Sequence, residues 1–286
     1  MQINFSSILC AIFIAPLIAF APSPRGFAET NDTNKTLWHG FDQFHFQCAG
    51  RNAYLIVPAQ SLPGRPWIWR ARFPNYHAEM DLQLVRAGYH LAYFDVANQF
   101  GCPSIIEKAN KFYRLVVQRH DLNPRPVLEG VSRGGLFVYN WAAANPDQVA
   151  CIYCDTPVCD FRSWPAGTGT GIGSAAAWKE CLAAYGLTAE QAETFDQQPL
   201  DHANIIASAR IPILHIVSEN DRVVPPVENT YLLRDQLHRF GHEMEVISVQ
   251  QGTEKSSGHH FDHPDPARVV EFIRRHAEKT AKFDAE

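Results

Sequence analysis

The stretch Val127-Leu128-Glu129-Gly130-Val131-Ser132-Arg133-Gly134-Gly135-Leu136-Phe137 limits what this chain can fold into more than any other. An apolar, strand-like run meets a tight Gly-x-Ser-x-Gly and continues at once with helix-like spacing. Only a sharp strand-to-helix turn joins those two periods, and such a turn lifts the serine hydroxyl above the sheet. Gly130 and Gly134 flank the serine where a Cβ would collide with a neighbouring strand or helix. By composition the pattern arises by accident roughly 0.05 times in a chain of this size, so its surroundings must decide.

Those surroundings alternate between strand and helix. Three extended segments come first, at 38–46, 53–57 and 66–73, the last two closed by Pro58 and Pro74. Residues 77–87 then place Met80, Leu82, Leu84 and Val85 at helical spacing and stop at Gly88. Further strands are expected at 89–96, 126–131, 149–154, 211–217 and 244–249, with helices at 105–119, 134–144, 227–240 and 265–279. The pattern predicts an α/β fold with a mostly parallel, eight-stranded-type sheet, helices on both faces and the opening antiparallel strands at one edge. Residues 38–286 read as a single domain. Within it, 159–206 break the rhythm with Trp164, a Gly-rich turn and helical segments, and an insertion of that size over the carboxyl edge is where a lid would sit.

The N-terminus differs in kind. Residues 8–21 are an apolar run shorter than the roughly 20 residues that a membrane-spanning helix needs. Ala19-Phe20-Ala21 and Gly26-Phe27-Ala28 both offer a small-x-small cleavage site and Pro22 disfavours the first, so residues 1–28 read as a secretory signal peptide, with an uncleaved anchor as the rival, and 29–37 as a polar, disordered lead-in. The protein is then expected to be secreted or periplasmic, with no stable membrane insertion after cleavage. A net charge of −5 gives no broad basic surface, which argues against nucleic acid as a partner. Of the seven cysteines, Cys151 and Cys154 lie on one strand facing opposite sides, without a second pair to complete a metal site. Buried free thiols are the expectation there. Oligomeric state and disulfide connectivity are left open.

A serine at such a turn needs a base, and the base needs a carboxylate to orient it. Asp221 follows the strand 211–217, and a carboxylate just past a strand's C-terminal end faces the same crevice as Ser132. Glu219 and Asp155 are weaker candidates for the acid. After the last strand comes Gly258-His259-His260-Phe261-Asp262-His263, which places His259 first as base and His260 second. Adjacent histidines in a loop lack zinc spacing, so neither a metal nor another cofactor is expected.

On these elements, residues 38–279 resemble the α/β-hydrolase superfamily: Gly130-Val131-Ser132-Arg133-Gly134, then Asp221, then Gly258-His259, in that order. With Pro-Trp-Ile-Trp-Arg at 66–70, Ser-Arg-Gly-Gly at 132–135, Ser-Trp-Pro at 163–165 and Gly-His-His at 258–260, the chain is similar to a group of exported bacterial esterases. The Ser-Arg pair is also similar to that of glucuronoyl esterases, although the sequence around it departs from theirs. The resemblance implies that Ser132 attacks an ester carbonyl, His259 relays the proton and Asp221 holds the imidazole. It also implies an oxyanion hole from the backbone N–H of Arg133 and of the loop after 67–71. That loop reads Arg70-Ala71-Arg72-Phe73-Pro74 instead of the common His-Gly form, which leaves the second donor open. The Arg133 side chain could meet a substrate carboxylate or sugar hydroxyl, or form an ion pair beneath the lid. Trp164 is the candidate substrate-binding residue, stacking on a sugar ring, with plain packing as its alternative. A small-molecule or carbohydrate ester is the expected substrate. A serine peptidase of the prolyl-oligopeptidase kind and a non-catalytic binding protein on the same fold are the competing readings.

Overall fold

The computed structural model describes residues 34–283, and side chains up to 278. The expected signal peptide lies outside the described residues. Nine strands, β1 (Asn34–Trp38), β2 (Phe41–Cys48), β3 (Arg51–Val57), β4 (Trp67–Ala71), β5 (His90–Phe94), β6 (Val127–Val131), β7 (Cys151–Asp155), β8 (Ile213–Ser218) and β9 (Glu245–Val249), form one sheet. Their spatial order is β1-β2-β3-β5-β4-β6-β7-β8-β9. The first three and β5 pair antiparallel, and everything from β5 through β4 to β9 pairs parallel. Helices α1 (Glu79–Arg86), α2 (Pro103–His120), α3 (Gly134–Ala144), α4 (Ala175–Tyr185), α5 (Ala189–Glu193), α6 (Ala203–Ser208), α7 (Thr230–Arg239) and α8 (Pro266–Phe283) fill the connections. This is the α/β-hydrolase fold that the strand–helix alternation predicts.

The central strands β4, β6, β7 and β8 are buried along their whole length. Covered on both faces, they read in sequence as continuous runs, not as alternating ones. Alternation still sorts their side chains. Trp67 and Trp69 join Phe94, Phe112 and Phe137 in the core on one face, while Ile68 packs with Leu91 and Met80 on the other. A third apolar cluster, around Phe161 and Trp164, joins the insertion to Phe100, Leu136, Val158 and Val224 outside it. There α4 starts where the Ser174 side chain accepts a hydrogen bond from Ala177 N–H and ends at Gly186, and α5 opens with a Thr188–Gln191 capping box.

Two expectations about the first strands need correction. Residues 34–37, assigned to an irregular lead-in, are paired, and the strand expected over 38–46 is a hairpin that turns at His39-Gly40. The ninth strand over the expected eight is this β1. Its side chains are nearly all exposed, so no buried face imposed a pattern on the sequence. Backbone pairing and cross-strand polar contacts hold it instead, including Lys35–Asp42 at 2.8 Å. The six described cysteines are all buried and unbonded. No helix among the described residues is long and apolar enough to cross a membrane.

Charged residues inside β4 and β6 find each other. Parallel register sets Arg70 beside Glu129, and α1 adds Asp81. The Arg70 guanidinium donates to Asp81 at 2.5 Å and to Glu129 at 2.8 Å, with all three side chains at most 2% exposed. It also donates to the carbonyls of Phe73, at 3.0 Å, and Tyr76. Burial pushes the Glu129 carboxyl well above the usual carboxylate range despite Arg70. Removing the cation strands the acids. Arg70→Met should therefore lower unfolding free energy by about 3–5 kcal/mol in urea denaturation. A loss under about 1 kcal/mol would show that the cluster contributes little.

Candidate active site

The carboxyl ends of the parallel strands converge on one crevice. Ser132 follows β6, Asp221 lies beyond β8, and His259 stands in the loop between β9 and α8. The turn at Ser132 is tight enough to hold the residue at φ +52°, a left-handed conformation that costs a non-glycine residue about 1–3 kcal/mol. Its neighbours hold it there. Ser132 N–H donates to the Asp155 carbonyl at 2.8 Å, and Val158 N–H and Gly135 N–H donate to the Ser132 carbonyl, each at 3.0 Å. Gly134 is where β4 meets the turn, since a Cβ there would run into the carbonyl oxygen of Ala71.

His259 Nε2 lies 3.0 Å from Ser132 Oγ, and His259 Nδ1 lies 2.6 Å from Asp221 Oδ2. With Nδ1–H donating to the carboxylate, Nε2 is left to accept the serine proton. Asp221 is buried, and its other oxygen, Oδ1, accepts the backbone N–H of Val223 at 2.8 Å and of Val224 at 2.9 Å. The local-turn role and the base-orienting position thus belong to two oxygens of one carboxylate. Gly258 (φ +88°) lets the base loop cross against the acid loop, because a Cβ there would overlap the Asn220 carbonyl. Arg222 N–H donates to Ser257 O at 2.9 Å across the same crossing.

The other sequence candidates fall elsewhere. His260 presents its ring to Tyr76 (5.3 Å between centroids) and to His259 (5.4 Å), off the line between serine and acid. Burial, with His259 beside it, pulls its imidazole down. Glu219 is engaged by the Tyr231 hydroxyl at 2.5 Å. Asp155, fully buried, faces His77 instead of His259. Trp164 does not offer an open face for a sugar: it is 7% exposed and the Arg133 guanidinium covers its ring at 4.9 Å. The burial fits the packing alternative for this residue. Arg133 itself forms no ion pair among the described residues. Its guanidinium reaches Asn98 Oδ1 at 3.5 Å and lies over Phe100 and Phe73 as well as Trp164. Burial, and Arg72 nearby, pull its basicity down.

The backbone N–H of Arg133 stands at the start of α3, at the positive end of the helix. Across from it, the Arg72-Phe73 pair turns with φ +68° and +43°. These are the segments expected to supply the oxyanion donors. Sequence reasoning missed His77 and Tyr76, which brace the base loop: His77 Nε2–H donates to Phe261 O at 2.7 Å, and Tyr76 OH accepts from Phe261 N–H at 3.3 Å. Only the strand-terminal position of Asp155 hinted that a partner should be sought. Among the described residues no cluster of three or more His, Cys, Asp or Glu side chains is set to hold a metal.

Residues 114–280 match the prolyl oligopeptidase family. No curated protein matches the chain. Among solved structures, the fold is similar to that of the Pyrococcus horikoshii acylaminoacyl peptidase, at TM-score 0.62 and 16% identity over 87% of this chain and 43% of that one. A Mycobacterium tuberculosis puromycin-hydrolyzing peptidase is similar at TM-score 0.64 and 16% identity, over 85% of this chain and 40% of that one. The Pyrococcus furiosus esterase Pf2001 is similar at TM-score 0.55 and 15% identity, over 83% of this chain and 93% of that one. The chain thus spans less than half the length of those two peptidases.

The geometry separates the two neighbouring histidines by experiment. His259→Ala should slow covalent labelling by a fluorophosphonate by roughly 10³-fold or more, and His260→Ala by less than about tenfold. Equal losses would remove the distinction between them.

Proposed function

The chain belongs to the prolyl oligopeptidase family, and on that premise we propose that it is a serine hydrolase cleaving carboxylic esters through an acyl-enzyme. The observation that carries the reading is the hydrogen-bonded line Ser132–His259–Asp221, at 3.0 Å and 2.6 Å. Ser132 Oγ attacks the acyl carbonyl while His259 Nε2 takes its proton. Asp221 holds the neutral ring in the tautomer that the first step needs and then stabilises the imidazolium so formed. Charge building on the carbonyl oxygen meets the N–H of Arg133 and a second backbone donor from the Arg72-Phe73 turn. His259 then returns the proton to the departing alcohol, and water repeats the sequence to release the acid.

Ester cleavage is the minimal activity of such a site. An alkoxide leaves more readily than an amine, so machinery able to open an amide also opens an ester, whereas the reverse does not hold. The likeness to an esterase over 93% of that esterase's length supports the same reading. Peptide-bond hydrolysis is the second reading, favoured by the family and by the peptidases among the similar folds. The acyl and alcohol parts are for a substrate panel to assign. Export by a leader cleaved after Ala28 belongs to the proposal, with a mature N-terminus at Glu29 as its signature.

A fluorophosphonate should label the wild-type protein and leave Ser132→Ala unlabelled; an adduct elsewhere would remove the serine assignment. Against a panel of acetyl sugars, uronate methyl esters, p-nitrophenyl esters and aminoacyl amides, esters should turn over faster. Preference for the amides would establish the peptidase reading instead.

A further inference from the structure

Beside the Ser132–His259–Asp221 line lies a second histidine–carboxylate pair that the chemistry above does not use. His77 Nδ1–H donates to Asp155 Oδ2 in a very short contact, and His77 Nε2–H donates to the Phe261 carbonyl at 2.7 Å. Both ring nitrogens therefore face acceptors. Either neutral tautomer would set a nitrogen lone pair against a carbonyl or a carboxylate, so the pair must hold an extra proton. A carboxyl group is the stronger acid by about two pH units, which puts that proton on the ring. With Nε2 capped by a carbonyl, His77 cannot serve as a general base. It is a clamp.

What the clamp joins is specific. Asp155 is fully buried, its Oδ1 has no hydrogen-bond partner among the described residues, and its backbone carbonyl accepts the Ser132 N–H. Phe261 lies two residues past His259. The imidazolium thus ties the segment that sets the nucleophile's backbone to the loop that carries the base. We propose that His77, as an imidazolium between Asp155 and Phe261, is the positioning residue that holds His259 in register with Ser132, and that its loss of a proton limits activity at alkaline pH. This rests on Ser132 and His259 acting as nucleophile and base.

The groups around His77 agree. Glu79 of α1 and Asp155 of β7 face it as acids, and the Tyr76 ring lies 4.0 Å away between centroids. The base loop contributes His260 and His263, the latter edge-on at 5.3 Å. His263 Nδ1 accepts the N–H of Asp265 at 3.1 Å, so its Nε2–H is left to donate to the Tyr153 hydroxyl at 3.1 Å, the pattern of a neutral ring. Burial pulls His260 and His263 down. Burial would pull His77 down too, but the hydrogen-bonded Asp155 charge more than offsets it and holds His77 above the ordinary imidazole value. The sign follows: the clamp is complete below that ordinary value and is lost as pH rises through the raised one.

The test uses the fluorophosphonate as probe, since it needs no knowledge of the substrate. The labelling rate of the wild type should fall at alkaline pH, after the rise that deprotonation of a general base produces. His77→Gln keeps one donor and cannot titrate. It should label roughly 10- to 100-fold more slowly near neutral pH and lose the alkaline fall. A variant retaining the wild-type alkaline limb would overturn the proposal. Ring ¹⁵N shifts of the wild-type protein give a second reading that needs no variant. Two protonated nitrogens on His77 at neutral pH are expected, and a neutral ring there would equally overturn it. Absence of any Ser132 adduct would instead remove the nucleophile reading, while the ring shifts would still decide the state of His77.

Discussion

One buried guanidinium sets the geometry on which the rest of the site depends. Arg70 stands on β4, next to the strand that carries the serine, and binds Glu129 of that strand, Asp81 of α1 and the carbonyls of Phe73 and Tyr76. A cation in a dry interior is tolerable only when its donors are satisfied, and here the satisfying groups are the very segments that must be fixed relative to one another. The backbone from 71 to 77 leaves β4, passes the elbow at Gly134, turns through Arg72 and Phe73 and delivers Tyr76 and His77 to the base loop. The anchor at Arg70 adds to the contacts that His77 and Tyr76 make with Asp155 and Phe261 in defining that path.

From that anchor the site is assembled by strand ends. Parallel pairing makes the carboxyl ends of β4, β6, β7 and β8 neighbours, so residues far apart in sequence meet without any long excursion of the chain. The ends are then cross-braced by loop contacts: Ser132 to Asp155, Asp155 to His77, His77 to Phe261 and Arg222 to Ser257. Each link carries a backbone group or a buried polar one.

Much of this was legible in the sequence, for identifiable reasons. The elbow could be read because a strand period and a helix period abut across glycines, Asp221 because it follows the largely apolar run of β8, and Gly258-His259 because they stand between the last strand and the closing helix. Strand β1 could not be read, since it buries almost nothing. Arg70 and Glu129 were visible as charges within apolar strands, yet their meeting depends on register, which no local pattern records. His77 is the extreme case. It sits in an irregular turn, and its partners, Asp155 and Phe261, lie on two other segments far along the chain.

Asp221 uses one oxygen to close the turn over Val223 and Val224 and the other to face His259. The two hydrogen bonds to the turn favour the same carboxylate rotamer that presents Oδ2 to the imidazole. The acid is thereby oriented by its own chain neighbours as well as by the group it acts on. A tolerance that loops usually enjoy, the freedom to shift a residue or two in sequence, is denied to this one.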